Sequence, residues 1–496
     1  MDWELTKWRK ERLNREKPLI TFFHGASVRV ALAYPNTYYV GMSSLGFQVV
    51  YDVLNSHKHA SAERFFYPEH MFKGLFSIES GTPPGNYDII GFSISFELDY
   101  IRIPQMLSLG DIPYYCSQRE NPFPLVIGGG AFSFYNPEPL ADFFDAIVLG
   151  EAEEILAGLV DVVHNFKLSG NKDKVQLLKD ISNIDGIYVP ALHAHFSCVK
   201  KYYLRDLNHF RGASSVITPD TEFKNMFLLE IARGCKHSCS FCMVGKCIKP
   251  YRTRNLDFLK ETLRNAKSLT DSIGLIAPNV SDYKDIDELC SSIISLGMKI
   301  SFSSLRADTI TEQMISSLVA SGQKTITLAP ETGQRLRQFC RKFISDDDFF
   351  RAVEISLKEG IRNFKCYFMI GLPDETEADL EEIVSFVRNM YDRGDVKLYL
   401  SINQFIPKPA TDLASFPPVS MDEMEEKIRF LKDKFKKFKN IRLKFESLKW
   451  SFIQALLASG GRTMSGIIFL VSKSKKENFQ SWRKALVDQD FYGRNA

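Results

Sequence analysis

Three cysteines, Cys235, Cys239 and Cys242, lie close together in the segment "ARGCKHSCSFC". Thiolates are soft ligands that suit zinc or iron–sulfur clusters. A structural zinc site needs a fourth ligand, which here could be His237 or Cys247. An iron–sulfur cubane is normally held by four cysteines, so three would leave one iron open to a ligand from outside the protein. The spacing therefore predicts either a closed zinc site or an open and reactive cluster.

The composition limits the class of protein. A chain of 496 residues is too long for one ordinary core, so two or three domains are expected. Its longest apolar runs, such as residues 467–471, fall far short of the roughly 18 residues of a membrane helix. The charged amino terminus has no apolar signal region, and nine clustered cysteines do not resemble a disulfide framework. We therefore expect a cytoplasmic protein with no membrane partner.

The first part of the chain alternates strand-like and helical segments from Val28 onward. The segments "VRVALAYP", "YDIIGFSISF", "FPLVIGGG" and "DAIVLG" are nearly continuous apolar runs, as buried parallel strands are. This alternation predicts a doubly wound, Rossmann-like α/β domain. Glycines stand at or after the predicted strand ends, at Gly41, Gly46, Gly128, Gly129, Gly130 and Gly150. They could either admit a ligand close to the backbone or only make tight turns.

A second β–α series begins at the cysteines. Six strand-like segments are separated by helical ones: "NMFLLEIARG", "SIGLIAPNV", "MKISFSSLR", "KTITLAPETG", "NFKCYFMIGLP" and "KLYLSINQFIPKP". Six βα units predict a full or partial barrel, with its chemistry on the loops at the carboxyl ends of the strands.

These patterns divide the chain into five predicted regions. They are an N-terminal arm at 1–27, the Rossmann-like domain at 28–165, a connector with a small β element at 166–222, the (βα)6 core at 223–410 and an α-rich C-terminal extension at 411–496. The extension contains "DEMEEKIRFLKDKFKKFKNIRLKFESLK", which we expect to be helical. Between Lys427 and Lys449 it holds ten basic and two acidic residues. We interpret it as a packed helix with a basic face; a nucleic-acid surface is the alternative.

The Cys-x3-Cys-x2-Cys spacing, on the loop after the first strand of six βα units, resembles the signature of radical S-adenosylmethionine (radical SAM) enzymes. The resemblance implies a partial TIM barrel in which Cys235, Cys239 and Cys242 hold a [4Fe–4S] cluster. S-adenosylmethionine would fill the fourth iron site, and an electron from a donor such as flavodoxin or ferredoxin would cleave it to a 5′-deoxyadenosyl radical.

The resemblance also implies residues that bind the cosubstrate. "LAPETG" resembles the fourth-strand segment that contacts ribose and methionyl groups, while "IGLPDET" and "SSLR" resemble the segments that shape the adenine pocket. At the second strand "APNVSD" replaces the common Gly-Gly-Glu. The implied contacts are Phe241, Asn279, Ser281, Ser304, Arg306, Glu331, Thr332, Gly371, Leu372 and Pro373.

The N-terminal half resembles the cobalamin-binding-type domain of the B12-domain radical SAM subgroup, through "YPNTYYVGMSSLGFQ" and "VIGGGAFSFYNPEPLADFFDAIVLGEAEE". The Asp-x-His-x-x-Gly motif that supplies a histidine below the cobalt is missing after the first strand. "DLNHFRG" at 206–212 has the aspartate one place too far away and lies in the connector. Cobalamin would therefore bind without a histidine ligand, or the domain has lost it.

We therefore expect a radical SAM enzyme that modifies an unknown substrate, RNA or protein among the candidates, with methyl or methylthio transfer as candidate outcomes. A zinc-stabilised nucleic-acid-binding module and a cofactor-dependent sensor without turnover are the alternatives. The remaining cysteines are expected to be passive: Cys116, Cys198, Cys247, Cys290, Cys340 and Cys366.

Overall fold

A computed structural model describes residues 3–20, 25–69 and 73–489. Contacts within the chain divide it into two units. Unit 1 comprises Met1–Asn225 and Leu456–Ala496, and unit 2 comprises Met226–Ala455. Among the described residues, no helix has the length and apolar character needed to cross a bilayer.

A six-stranded sheet forms the centre of unit 1. The strands of this unit are β1 (Lys17–Pro18), β2 (Val28–Tyr34), β3 (Ala60–Phe66), β4 (Ile89–Ser93), β5 (Leu125–Gly129), β6 (Ala146–Val148), β7 (Ile187–Tyr188) and β8 (Val216–Ile217). The sheet order is β3-β2-β4-β5-β6-β7, in which only β7 is antiparallel, while β1 pairs with β8. The switch in direction between β2 and β4 defines a doubly wound sheet, so the predicted fold class is confirmed.

Helices cover this sheet on its apolar faces. They are α1 (Trp3–Arg15), α2 (Tyr38–Met42), α3 (Leu45–Ser56), α4 (Arg102–Leu109), α5 (Glu153–Leu168) and α6 (Lys174–Ser182). Ser44 caps α3 by accepting a hydrogen bond from the Phe47 amide, and Asp173 caps α6 in the same way. Phe47 and Val160 then pack with Leu32 in one continuous core between sheet and helices.

Unit 2 contains two parallel sheets. Its strands are β9 (Phe227–Glu230), β10 (Ala232–Arg233), β11 (Arg252–Thr253), β12 (Ser272–Ile276), β13 (Lys299–Phe302), β14 (Thr325–Glu331), β15 (Asn363–Ile370), β16 (Lys397–Gln404) and β17 (Ile441–Phe445). One sheet has the order β13-β12-β9 and the other β14-β15-β16-β17, and β10 pairs separately with β11. Each of the six predicted segments contains one of these parallel strands, which confirms the α/β class with a parallel-sheet core.

Helices follow the parallel strands. They are α7 (Met243–Cys247), α8 (Leu256–Ala266), α9 (Ile286–Ser295), α10 (Glu312–Ala320), α11 (Gln334–Phe339), α12 (Asp346–Lys358), α13 (Glu377–Tyr391), α14 (Met421–Phe435) and α15 (Leu448–Ser459). Capping fixes their starts: Ser345 and Asp348 form a reciprocal capping box at α12, and Thr376 and Asp379 form another at α13.

The prediction of one helix through the basic C-terminal segment was wrong. Helix α14 ends at Phe435, and the next residues form β17, because Ile441, Leu443 and Phe445 alternate with charged residues at the period of a strand. On α14, the Lys427 Nζ lies 3.1 Å from Glu375 Oε1. This ion pair supports the packed-helix interpretation of the basic face.

The chain then returns to unit 1 through α16 (Met464–Ser472) and α17 (Phe479–Asp488). The Asn136 side-chain amide donates to the carbonyl oxygens of Ala458 and Gly460, at 2.9 and 2.8 Å. Met464 and Ile468 are fully buried. Unit 1 is therefore built from two separate stretches of the sequence.

The end of β6 gives a test of backbone packing in unit 1. Gly150 has φ +110, and a Cβ there would lie 2.1 Å from the Tyr202 carbonyl oxygen. We expect Gly150→Ala to lower the free energy of unfolding by about 3 kcal/mol or more, because both the clash and the backbone strain are unavoidable. Guanidinium denaturation of the full chain measures this loss.

Gly170→Ala is the matched control. Gly170 also has a positive φ, +69, but nothing lies within 4 Å of a Cβ at that position. The control should cost about 1 kcal/mol, from backbone conformation alone. Equal losses for the two variants would show that Tyr202 does not pack on Gly150.

Candidate active site

The loop that carries the three cysteines runs from β10 to α7 and is closed at both ends by glycine. Gly234 has φ +79, and a Cβ there would lie 2.6 Å from the Ile248 carbonyl oxygen. A Cβ at Gly245, in α7, would lie 2.4 Å from the His237 carbonyl oxygen. Any larger residue would therefore push the loop away from its flanks. Sequence reasoning missed both glycines, although Gly234 directly precedes the first cysteine.

The three thiols are half-buried and share one electrostatic neighbourhood. Burial raises the pKa of Cys239 to about 11; Lys342 and Arg306 lower it, and the Cys242 and Cys235 thiols raise it. Among the residues that the structure describes, no three His, Cys, Asp or Glu side chains are gathered as the ligands of a single ion would be. Iron–sulfur clusters are held by cysteine thiolates, so three thiols on one loop fit such a cluster.

The two residues considered as a fourth zinc ligand have other surroundings. The His237 Nε2 lies 2.9 Å from Asp282 Oδ2, so this ring is held by a carboxylate. Cys247 is buried at the end of α7, with 4% of its surface exposed. The carboxylate contact of His237 and the burial of Cys247 favour a structural role for these two residues.

Asp282, in the turn that follows β12, braces the cysteine loop. Besides His237, its Oδ2 accepts from the Asn279 side-chain amide at 3.2 Å, and its Oδ1 lies 3.7 Å from Lys236 Nζ. Burial alone would raise the pKa of Asp282, but the hydrogen bond and charge of His237 and the Lys236 charge keep it below its ordinary value. The carboxylate therefore stays charged and holds the loop. Sequence reasoning did not select this residue.

Asn279 and Ser281 were both predicted to contact the cosubstrate. The Asn279 side-chain amide donates to Cys235 Sγ at 3.6 Å, so it lies directly beside the first thiol. Ser281 Oγ instead accepts from the Arg306 amide at 3.0 Å and from Thr309 Oγ1 at 2.7 Å. Of the two, the structure brings Asn279 to the thiols and uses Ser281 to join two loops.

The end of β13 presents Arg306. Its Nε lies 2.9 Å from Asp308 Oδ1. Burial raises the pKa of both Cys235 and Cys239, and the Arg306 charge partly opposes that rise. Ser304 donates to the Pro278 carbonyl oxygen at 2.6 Å. Arg306, predicted for the adenine pocket, lies close enough to the thiols for its charge to act on them, while Ser304 fixes the backbone between the β12 and β13 ends.

Glu331 and Thr332 lie at the end of β14. Lys342 Nζ lies 2.9 Å from Glu331 Oε1, and Glu331 itself has φ +67. Thr332 is 1% exposed, and its buried Oγ1 has no hydrogen-bond partner. A buried hydroxyl without a partner is costly, so it fits a polar ligand atom. Because Lys342 also acts on Cys239, this pair of residues lies on the side of the thiols.

The end of β15 combines a sharp turn with an apolar cluster. Gly371 has φ +81, and its amide donates to Glu375 Oε1 at 2.9 Å. Leu372 is buried in a cluster against which Phe241 packs, while Pro373 is half-buried. Phe241 and Leu372, both predicted for the adenine pocket, are thus brought together.

Two further polar atoms without partners lie at the end of β16. They are Asn403 Oδ1 and Gln404 Oε1, both buried. Asn403 and Gln404 are consecutive, so their side chains point to opposite faces of the sheet, and the Gln404 amide donates to the Val419 carbonyl oxygen at 3.1 Å. The three half-buried thiols and the buried Thr332 hydroxyl fit a [4Fe–4S] cluster with a polar cosubstrate beside it.

The comparisons with known proteins agree with this site. Residues 46–190 match the N-terminal domain of radical SAM proteins, and residues 229–387 match the radical SAM superfamily. The chain belongs to the radical SAM superfamily and is an enzyme of that class. It is 30% identical over 444 residues to the uncharacterized protein MJ0966 of Methanocaldococcus jannaschii, covering 88% of this chain and 89% of that one.

More distant relatives have named activities. The bacteriochlorophyllide d C-8(2)-methyltransferase of Chlorobaculum tepidum is 24% identical, covering 58% of this chain and 61% of that one. The ribosomal protein uS12 methylthiotransferase RimO of Protochlamydia amoebophila is 23% identical, covering 55% and 59%. The chain thus spans less than two thirds of either enzyme. The solved structure of the cobalamin-dependent radical enzyme OxsB has a TM-score of 0.51 at 14% identity, covering 93% of this chain and 71% of OxsB, which shows a shared fold.

Two glycines of unit 1 contact the chain's own backbone. A Cβ at Gly130 would lie 2.5 Å from the Ile94 carbonyl oxygen, and a Cβ at Gly150 would lie 2.1 Å from that of Tyr202. At the ends of β5 and β6, these glycines therefore allow close packing of backbone on backbone. Between β2 and β4, where the strand order of the sheet reverses, the Asn36 side-chain amide donates to Asp99 Oδ1 at 2.8 Å. Burial raises the pKa of Asp99 to about 6.

The brace on the cysteine loop can be tested directly. We expect Asp282→Ala to lose bound iron about tenfold faster during dialysis against a chelator, because the loop loses the carboxylate that holds His237. Asp285→Ala is the control, since Asp285 lies three residues further along the chain and forms its ion pair with the exposed Lys284, at 3.7 Å. If both variants keep iron as well as the unaltered chain does, Asp282 does not position the cysteine loop.

Proposed function

We propose that this chain cleaves S-adenosylmethionine reductively at a [4Fe–4S] cluster held by Cys235, Cys239 and Cys242. The 5′-deoxyadenosyl radical formed would take a hydrogen atom from a substrate and start its modification. The observation that carries the proposal is the position of the three thiols. They are half-buried on one glycine-closed loop, and the charges of Arg306, after β13, and Lys342, between α11 and α12, act on Cys239.

The protein's own residues have three tasks in this proposal. The cysteine loop, braced by Asp282, holds the cluster. Thr332 Oγ1, buried and without a partner, receives a polar group of the cosubstrate, and Phe241 with Leu372 provides an apolar wall for its adenine. Glu331, held by Lys342, is the acidic residue placed to accept from hydroxyl or ammonium groups.

When bound, the cluster supplies the electron that breaks a carbon–sulfur bond of the cosubstrate, after reduction by an external donor of the flavodoxin or ferredoxin type.

All nine cysteines are free, in keeping with a reducing cytoplasm. Methyl or methylthio transfer is our candidate outcome, supported by the named activities of two relatives that cover only part of this chain.

The test is anaerobic reduction of the full chain with S-adenosylmethionine, assayed for 5′-deoxyadenosine and for iron. We expect Cys239→Ala to lose most of its iron and to lower product formation at least about 100-fold, because one corner of the cluster loses its ligand. Cys198→Ala, at an exposed cysteine, should keep both. A chain with one zinc and no iron would support the binding module, and a chain that holds iron without cleavage would support the sensor. Either result would contradict the proposal.

We further propose that unit 1 works without cobalamin, because the glycines at the ends of β5 and β6 pack on the chain's own backbone. The full chain, produced in cells supplied with cobalamin, should purify with well under about 0.1 equivalent of cobalamin per chain, measured from its visible spectrum. A specific, tight site would retain close to one equivalent, whereas nonspecific binding would leave roughly 0.1 equivalent or less. One equivalent of tightly held cobalamin would overturn this proposal and leave the cleavage reaction unaffected.

A further inference from the structure

The sheet formed by β14 to β17 has two very different faces. On one face Phe364, Cys366 and Phe368 of β15 are fully buried, and the Phe368 ring lies 6.1 Å from that of Phe386 in α13. Parallel sheets are normally covered on both faces by apolar contacts. Here the second face carries polar and charged side chains instead, so it has a purpose other than core packing.

Strand register identifies the members of this second face. Lys365, Tyr399 and Arg442 are direct neighbours in one row across β15, β16 and β17. Tyr367, Ser401 and Lys444 form the next row toward the carboxyl ends. Because side chains two residues apart point to the same face, all six share one surface, which we name the polar face.

The helix contacts confirm which way β17 faces. The Lys432 Nζ of α14 lies 5.2 Å from the ring centroid of Phe445, so Phe445 points to the helices. Arg442 and Lys444 alternate with Phe445 and are exposed. They therefore lie on the side away from α14.

Among the residues that the structure describes, the three cations of the polar face have no acidic partner. Within the described residues, no carboxylate lies at ion-pair distance from Lys365, Arg442 or Lys444. Lys365 Nζ lies 4.8 Å from the Tyr367 ring centroid, and the Arg442 guanidinium 5.9 Å from that of Tyr399. These contacts keep the charge in place without neutralising it.

The carboxylates at nearby strand ends are already neutralised. Their ion pairs are Glu230 with Arg254 at 2.7 Å, Asp308 with Arg306 at 2.9 Å and Glu331 with Lys342 at 2.9 Å. The acid closest in sequence to the polar face is Glu446, which lies two residues beyond Lys444 and just after the end of β17. Even when Glu446 is counted, three cations stand against one carboxylate, so the face keeps a net positive charge that an anion can balance.

The spacing of the cations indicates how many anionic groups the ligand has. Neighbouring strands lie about 4.8 Å apart, so the backbone positions of Lys365 and Arg442, with β16 between them, are about 10 Å apart. Arg442 and Lys444 are about 7 Å apart along one strand. Tyr399 and Ser401 lie on β16, between the strands that carry these charges, and Tyr367 lies on β15 beside Ser401. Such an area suits a molecule with several anionic groups rather than a single small ion.

The polar face also leads toward the reaction site. Asn403 follows Ser401 on the same face, and its Oδ1 is buried without a partner. Gly371 lies four residues beyond Tyr367 on β15, which corresponds to about 13 Å along the strand. A substrate anchored on the polar face would thus place its reacting carbon one strand segment away, near the thiols.

We propose that the polar face binds a substrate that carries two or more carboxylate or phosphate groups, with Lys365, Arg442 and Lys444 as its anchors. This inference names the substrate class of the reaction proposed above and rests on that proposed function. It assigns the basic residues of β17 to a small anionic substrate, not to a nucleic-acid surface on α14.

The experiment titrates citrate and pyrophosphate, in separate arms, into the iron-loaded full chain without reductant, by calorimetry at low and high salt. We expect saturable binding that weakens with salt, and the triple variant Lys365→Gln, Arg442→Gln, Lys444→Gln should bind at least about tenfold more weakly. Tighter binding of citrate would indicate a carboxylate substrate, and tighter binding of pyrophosphate would indicate a phosphate substrate. A triple variant with unchanged affinity in both arms, or no binding by the unaltered chain, overturns the inference.

The control removes three charges elsewhere in unit 2. Lys358→Gln, Lys436→Gln, Lys439→Gln changes exposed cations outside the sheet and should keep the affinity of the unaltered chain within about twofold, because screened charges at a distance contribute little. An equal loss in both triple variants would show general attraction and would overturn the inference. Each single variant of the polar face should lose about threefold, which keeps the result readable if the test triple variant unfolds.

Failure of this inference and failure of the proposed function give different results. Anion binding is measured without reductant and does not depend on cleavage. If the chain cleaves S-adenosylmethionine but the polar face binds neither anion, the substrate class is wrong. If the anions bind but no 5′-deoxyadenosine forms, the function is wrong.

Discussion

The candidate site depends on how closely the cysteine loop can approach the backbone on either side of it. Side chains at Gly234 and Gly245 would meet carbonyl oxygens at 2.6 and 2.4 Å, closer than real Cβ atoms come. With glycine at both places, the loop folds tightly enough for His237 to reach Asp282 and for three thiols to share one neighbourhood. The chemistry of the cysteines thus rests on the absence of two side chains.

Much of the fold could be predicted, because buried parallel strands are short apolar runs bounded by glycine and proline. The six core strands and the doubly wound sheet follow from that pattern. Strand β17 could not be recognised, because its three apolar residues alternate over only five positions and directly follow an amphipathic helix. The apolar spacing of α14 continues to Phe438, so the sequence alone predicts one basic helix through both elements.

The site was predictable where the signal is local and unpredictable where it is tertiary. Cysteine spacing identifies the thiols, and their loop lies at a strand end as expected. The contact of Asp282 with His237 joins residues 45 apart in sequence, and the pair of Lys342 with Glu331 spans helix α11, at 2.9 Å in each case. Ser281 and Ser304 have the right residue type in the right segment, but their hydroxyls bind backbone and a neighbouring side chain, which only the three-dimensional arrangement reveals.

Unit 1 is interrupted in sequence by the whole of unit 2, and this has a consequence for biosynthesis. A ribosome delivers the acceptors for the Asn136 amide, Ala458 and Gly460, only after more than three hundred further residues. Until α16 and α17 have been synthesised, part of the apolar surface of unit 1 stays uncovered. Unit 2 is complete by then and can already fold. Helices α16 and α17 therefore complete unit 1 after unit 2 has been synthesised. A chain released before these helices would contain a complete unit 2 and an incomplete unit 1.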